Sequence, residues 1–108
     1  MKYLINLSYN GSKYYGYQIQ KNKDTVEGEI EKVLSKIFNR SINTIGASRT
    51  DKGVHSLNQY CTFEVEEEVN TKKLLHSVNS LLGDYIYVKS IKKVSNEFNV
   101  RHDVKRKE

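Results

Sequence analysis

From Lys2 to Tyr9 the chain alternates, with Tyr3, Ile5, Leu7 and Tyr9 on one side and Asn6 and Ser8 on the other. This is the period of two that buries one face of a strand. Asn10-Gly11-Ser12 ends the run, and the glycine-, tyrosine- and lysine-rich stretch to Lys23 has no core period, so it reads as a surface loop. Asp24 stands three residues before Glu27, the spacing at which a cap and a returning carboxylate satisfy free helix N–H groups, and a helix is predicted to begin there. Val26, Ile30, Val33, Leu34 and Ile37 fall on one face of it. Gly28 costs the helix about 1 kcal/mol of propensity, and is expected to mark a close backbone approach.

Asn43 to Ala47 is a short β-like piece, Ser48 to Asn58 is a polar loop, and Tyr60 to Val65 alternates again with Cys61, Phe63 and Val65 on one side. Asn70 or Thr71 can cap a second helix, whose Leu74, Leu75, Val78, Leu81 and Leu82 make an apolar stripe and which Gly83 is placed to end. Tyr85 to Ile91 reads as a fourth strand, with Ile86 and Val88 sharing a face. After Lys92 the periodicity is lost and the chain ends in Lys105-Arg106-Lys107-Glu108. The order βαββαβ predicts an α+β, ferredoxin-like fold, a four-stranded antiparallel sheet with two helices on one face. Residues 1–93 are expected to form this domain and 94–108 a basic linker. Internal repeats and low-complexity segments are absent, and the acidic run Glu64, Glu66, Glu67 and Glu68 reads as a solvated strand end.

Composition narrows the class. At 108 residues with 37% apolar residues, one core can be filled and a second cannot. A formal net charge of +5 favours anionic partners, nucleic acid before membrane. The single cysteine, Cys61, cannot form an internal disulfide, and no Cys and His cluster has zinc-ligand spacing, so a reducing compartment and no structural metal are expected. No apolar run approaches the ~20 residues of a membrane span, and Met1-Lys2-Tyr3 leads straight into a strand pattern, so no membrane association and a cytoplasmic location are expected.

Two segments hold the candidate chemistry. The loop before the third strand gathers Arg49, Asp51, Lys52 and His55 within seven residues. A carboxylate, a guanidinium and an imidazole together can attack or protonate a substrate while holding its phosphates, although each is also an ordinary loop residue. The first loop, with Lys13, Tyr14, Tyr15, Tyr17, Gln18, Gln20 and Lys21, mixes aromatics, cations and amides as surfaces that stack bases and contact phosphate do. Packing of some of these tyrosines beneath the loop is the competing reading.

Four stretches in order then resemble motifs of the tRNA pseudouridine synthase A family. They are Tyr9-Asn10-Gly11-Ser12-Lys13-Tyr14-Tyr15-Gly16-Tyr17-Gln18-Ile19-Gln20, Thr25-Val26-Glu27-Gly28-Glu29-Ile30-Glu31, Ile45-Gly46-Ala47-Ser48-Arg49-Thr50-Asp51-Lys52-Gly53-Val54-His55, and Phe98-Asn99-Val100-Arg101. They span nearly the whole chain, and the Arg-Thr-Asp-x-Gly-Val-His core is highly specific. The chain departs from the family pattern at Asn10, where Asp is common, at Ser48, where Gly is usual, and at Lys52, where a small residue is usual.

The resemblance implies isomerisation of uridine to pseudouridine in the anticodon stem and loop of tRNA, at positions 38 to 40, without a cofactor. Asp51 is then the catalytic carboxylate. Arg49 is its cationic neighbour and braces the position that the flipped base vacates, while Thr50, Gly53 and His55 shape the loop. Lys13, Tyr14, Tyr15, Tyr17, Gln18, Gln20, Lys52 and Arg101 are expected to contact the RNA. The resemblance covers the first half of family members, which tend to be homodimers and place the active site between two similar halves. The 108 residues by themselves are therefore expected to fold without turning over tRNA, with 94–108 leading toward a second half.

Two other functions fit the same order of elements. An acylphosphatase-like hydrolase could cradle an anion in Gly11-Ser12-Lys13, but its glycine, valine, glutamine and arginine run after the first strand is not present. A non-catalytic RNA-binding module of RRM type needs aromatics on the exposed face of the central strands, and the third strand offers Tyr60 and Phe63 on opposite faces.

Overall fold

The structure, a computed structural model, describes residues 1–10, 25–46 and 56–100. Its elements run β1 (Lys2–Tyr9), α1 (Val26–Phe38), β2 (Thr44–Gly46), β3 (Ser56–Glu64), α2 (Thr71–Leu81) and β4 (Ile86–Val94). The strands form one sheet in the order β2-β3-β1-β4, with every neighbouring pair antiparallel. This is the α+β, ferredoxin-like arrangement that the pattern predicts.

The alternation in β1 decides which face is covered. Tyr3, Ile5, Leu7 and Tyr9 enter one core with Val26, Ile30, Val33 and Leu34 of α1, Leu74, Val78 and Leu82 of and after α2, Cys61 and Phe63 of β3, and Ile86, Val88 and Ile91 of β4. Both helices therefore lie on the same face of the sheet, and each side chain so covered contributes on the order of 1.5–3 kcal/mol. In β4 the buried set steps from Ile86 and Val88 to Ile91 because the β1–β4 register shifts between Asn6 and Leu7. The extra residue is a bulge, which returns the later half of the strand to the core face.

Local details differ from the pattern: β4 runs on to Val94, past the expected Ile91, and four further points depart from it. The described cap of α1 is Thr25, whose Oγ1 accepts from the Gly28 N–H at 3.2 Å; Asp24 lies outside the described residues. β3 begins at Ser56, so strand occupies residues that were expected to be loop. Leu81 is 43% exposed, since only Leu74, Val78 and Leu82 of that stripe reach the core fully and Leu75 reaches it in part. Gly83 does not supply a left-handed cap: α2 ends because Leu82 itself turns extended, at φ −76° and ψ 150°. Asn70, in contrast, caps α2 as expected, accepting from the Lys73 N–H at 3.2 Å.

Both edges of the sheet are tied to a helix. On β4, the Asn79 side chain of α2 accepts from the Val88 N–H and donates to the Val88 carbonyl, each at 2.9 Å. Beside β2, Ser35 Oγ of α1 accepts from the Ile42 N–H at 2.9 Å, and the Glu31 carboxylate accepts from the Thr44 N–H at 2.6 Å. The Val88 N–H and carbonyl and the Ile42 and Thr44 N–H groups, which would otherwise offer part of a pairing template, are thereby satisfied within the chain.

The other face of the sheet is covered in part. After β4 the chain turns at Ser95, whose carbonyl accepts from the Phe98 N–H at 2.9 Å, and Phe98 and Val100 pack with Leu4, Tyr60 and Val94. Lys2 Nζ fastens this segment by donating to the Phe98 carbonyl at 2.8 Å. Periodicity is lost after Lys92, yet Val100 is 3% exposed: a cover lying across strands needs no repeat of its own.

Candidate functional site

The antiparallel register fixes where the two motif-bearing segments attach. Tyr9, the last residue of β1, is the partner of Ser56, the first residue of β3, and on its other side of Ile86, the first residue of β4. The Asn10 N–H continues this contact by donating to the Tyr85 carbonyl at 2.8 Å. Residues 11–24 leave from β1 at this end of the sheet, and residues 47–55 enter β3 at the same end. The attachment points of the two segments are thus on adjacent central strands, although the whole of α1 separates them in sequence.

The predicted site residues themselves fall in these segments. Lys13, Tyr14, Tyr15, Tyr17, Gln18 and Gln20 in the first, Arg49, Thr50, Asp51, Lys52, Gly53 and His55 in the second, and Arg101 after Val100 lie outside the described residues. What the structure brings together is their framework. Tyr9 is 5% exposed and belongs to the main core, so the exit of β1 is anchored by packing. α1 starts directly after the first segment, at Thr25, and β2 leads directly into the second, at Gly46 opposite Cys61.

The framework contains a polar junction that the sequence reading did not single out. Glu27 and Glu31 are one helical turn apart on α1, and both reach Thr44, the first residue of β2. Thr44 Oγ1 lies 3.2 Å from Glu27 Oε2 and 3.1 Å from Glu31 Oε2, while the Thr44 N–H donates to the same Glu31 oxygen at 2.6 Å. Glu27 is 8% exposed, which is unusual for a carboxylate. Burial holds the Glu31 carboxyl above its ordinary value; the two Thr44 hydrogen bonds oppose that shift, and the neighbouring Glu27 carboxylate adds to it. The available signal was the i, i+4 spacing of two acids that flank Ile30 on a core-facing helix.

The uncovered part of the far sheet face is polar near the Tyr9–Ser56 end. Lys89 Nζ donates to Asn58 Oδ1 at 3.0 Å, and Tyr87, the partner of Ser8, is 58% exposed. Asn6, between Tyr60 and Ser90, carries a buried Oδ1 with no hydrogen-bond partner among the described residues. Aromatics are sparse here: Phe63 lies in the helix-side core and Tyr60 lies with Leu4, Phe98 and Val100. The opposite end of the sheet sets Glu64, Glu66, Glu67 and Glu68 beside Arg40, Lys93 and the Met1 amino group. A cleft of about 430 Å³ lies between Arg40, Ile42 and Glu64 to Glu67, where Arg40 pairs with Glu67 at 2.6 Å and holds that carboxyl below its ordinary value. Among the described residues, no helix is long and apolar enough to cross a membrane.

Similar proteins bear on the same framework. A family profile described as tRNA pseudouridine synthase matches residues 6–103. A protein of Borrelia turicatae named tRNA pseudouridine synthase A is 45% identical over 98% of this chain and 43% of its own length. One of the same name from Aquifex aeolicus is 42% identical over 97% of this chain and 44% of its own. A third, from Caldicellulosiruptor saccharolyticus, is 39% identical over 96% of this chain and 43% of its own. The chain spans less than half the length of these curated relatives.

Proposed function

This chain belongs to the tRNA pseudouridine synthase family, and on that premise we propose that it carries the catalytic aspartate of an enzyme converting uridine to pseudouridine in the anticodon stem and loop of tRNA. Asp51 is the carboxylate, and Arg49 is its positive neighbour. The reaction is an isomerisation: the bond from uracil N1 to ribose C1′ breaks, the ring turns, a bond forms from C5 to C1′, and the proton on C5 is lost as N1 gains one. A carboxylate that attacks or stabilises the electrophilic intermediate divides one hard step into two, and it does so ionised. A guanidinium two residues away favours that ionised form. The base must leave its stack before a side chain can reach it, and Arg49 braces the vacated position while Lys13, Tyr14, Tyr15, Tyr17, Gln18, Gln20, Lys52 and Arg101 hold the RNA. Thr50, Gly53 and His55 keep the loop in shape.

The observation that supports this reading is the pairing of Tyr9 with Ser56, since the two motif-bearing stretches of sequence adjoin these paired residues, one following Tyr9 and the other preceding Ser56. The RRM alternative loses its support from the same sheet. Of the aromatics it would use on β3, Phe63 is buried under the helices and Tyr60 is packed with Phe98 and Val100.

Asp51→Asn tests the assignment, because the change is nearly isosteric and removes the charge alone. Pseudouridine formation by the complete protein that carries this sequence should be lost, with fold and tRNA affinity unchanged within about threefold. Activity kept within about tenfold would overturn the role of Asp51.

A further inference from the structure

β2 is the weakest-held strand of the sheet and the one that delivers the chain to residue 47. Among the described residues it pairs with β3 alone, at Thr44↔Phe63, Ile45↔Thr62 and Gly46↔Cys61, and no described strand lies on its other side. Three paired residues are short against the usual five or six. A ladder of this length does not by itself define where the next residues begin.

The missing neighbour is replaced by the side chains of α1. Ser35 Oγ takes the Ile42 N–H at 2.9 Å and Glu31 Oε2 takes the Thr44 N–H at 2.6 Å, so alternate outward-facing donors of this segment both end on the helix. Thr44 Oγ1 adds a second contact to Glu31 at 3.1 Å, and Glu27 lies on its other side at 3.2 Å. A hydroxyl has one proton and can donate to only one of the two carboxylates at a time, whereas the amide proton is committed to Glu31. Glu31 is therefore the member of the junction that fixes the backbone. The helix it stands on is capped by Thr25, the first described residue after segment 11–24, so one rigid element sets both the end of that segment and the start of 47–55.

We propose that Glu31 is a positioning residue for the Asp51 segment, acting through its hydrogen bond to the backbone of Thr44. The proposal rests on the reading of Asp51 as the catalytic carboxylate. Substrate binding draws on many contacts and tolerates a small shift of β2, but attack geometry does not, since misplacement by about 1 Å can cost on the order of 10²-fold in rate. The role needs an acceptor at this position and does not need its charge.

The experiment compares Glu31→Ala, Glu31→Gln and Asp51→Asn in the complete protein, with unmodified tRNA as substrate and thermal melts for folding. Glu31→Ala is expected to lower kcat by about 30-fold with KM for tRNA unchanged within about threefold, and Glu31→Gln, which keeps an acceptor for the Thr44 N–H, to hold kcat within about threefold of the parent. If Glu31→Ala fails to fold, Glu31→Met, which fills the same space without an acceptor, takes its place under the same criteria. A folded variant without the acceptor whose kcat falls less than about threefold overturns the proposal. So does loss in Glu31→Gln equal to that in Glu31→Ala, or a change confined to KM. An active Asp51→Asn would instead remove the reading beneath it, whatever Glu31 does.

Discussion

Tyr3 stacks on Phe63 directly across the β1–β3 ladder, with ring centroids 5.5 Å apart and planes 21° from parallel, and its hydroxyl accepts from the Val69 N–H at 2.8 Å. One side chain thus links the first strand, the third strand and the approach to α2. Both rings are almost wholly buried, Tyr3 at 0% and Phe63 at 1%.

Tyr3→Phe keeps the stack and removes only the oxygen. The part-buried Val69 N–H then loses its partner, and the variant should be less stable by about 1–2 kcal/mol. Chemical denaturation of the two proteins measures this, and equal midpoints would mean that water replaces the hydroxyl without cost.

Glu31→Gln should change stability in a pH-dependent way. Burial raises the Glu31 carboxyl above 4.5 in the folded chain, so the folded state binds that proton more tightly than the unfolded state does. The contribution of Glu31 is then fully present below its unfolded value and is lost as pH rises through its folded value. At pH near 7 the neutral amide should melt higher than the parent, and by pH near 4 the two should converge. A lower melting temperature for Glu31→Gln at neutral pH would show that the Thr44 donors favour the ionised form more than burial opposes it.

Binding to tRNA should weaken steeply with salt. Lysine and arginine contacts to phosphate release counterions, so the logarithm of affinity falls linearly with the logarithm of salt concentration at a slope of about −0.7 to −0.9 per phosphate contacted. Titrations between low and physiological ionic strength measure the slope, and a flat response would exclude a phosphate-tracking surface.

The 108 residues expressed alone should fold and yet fail to turn over tRNA. They match 43% of the length of the Borrelia turicatae relative, and the family resemblance implies a site shared with a second half, as ligand sites often lie between domains. Mass-spectrometric detection of pseudouridine, run beside a protein of full family length, decides this. Comparable turnover would mean that these residues hold a complete site.

The sequence by itself determined the order of elements and the face each one buries. Alternation in β1 and the helical stripe through Val26, Ile30, Val33 and Leu34 are periodic consequences of burying one side, and they reappear as one core. Membership of the family was also legible there, because Arg49-Thr50-Asp51-Lys52-Gly53-Val54-His55 is a local string that needs no partner elsewhere in the chain to be read. Only the tertiary structure decided what joins distant residues. The pairing of Tyr9 with Ser56 depends on register, and the burial of Val100 on Leu4 has no period to betray it. The reach of Glu27 and Glu31 to Thr44 follows from how α1 lies beside the sheet edge, since two acids one turn apart on a helix are as readily solvated as clamped. Hydrogen bonds across such distances are set by packing geometry, which a linear pattern of apolar and polar residues does not contain.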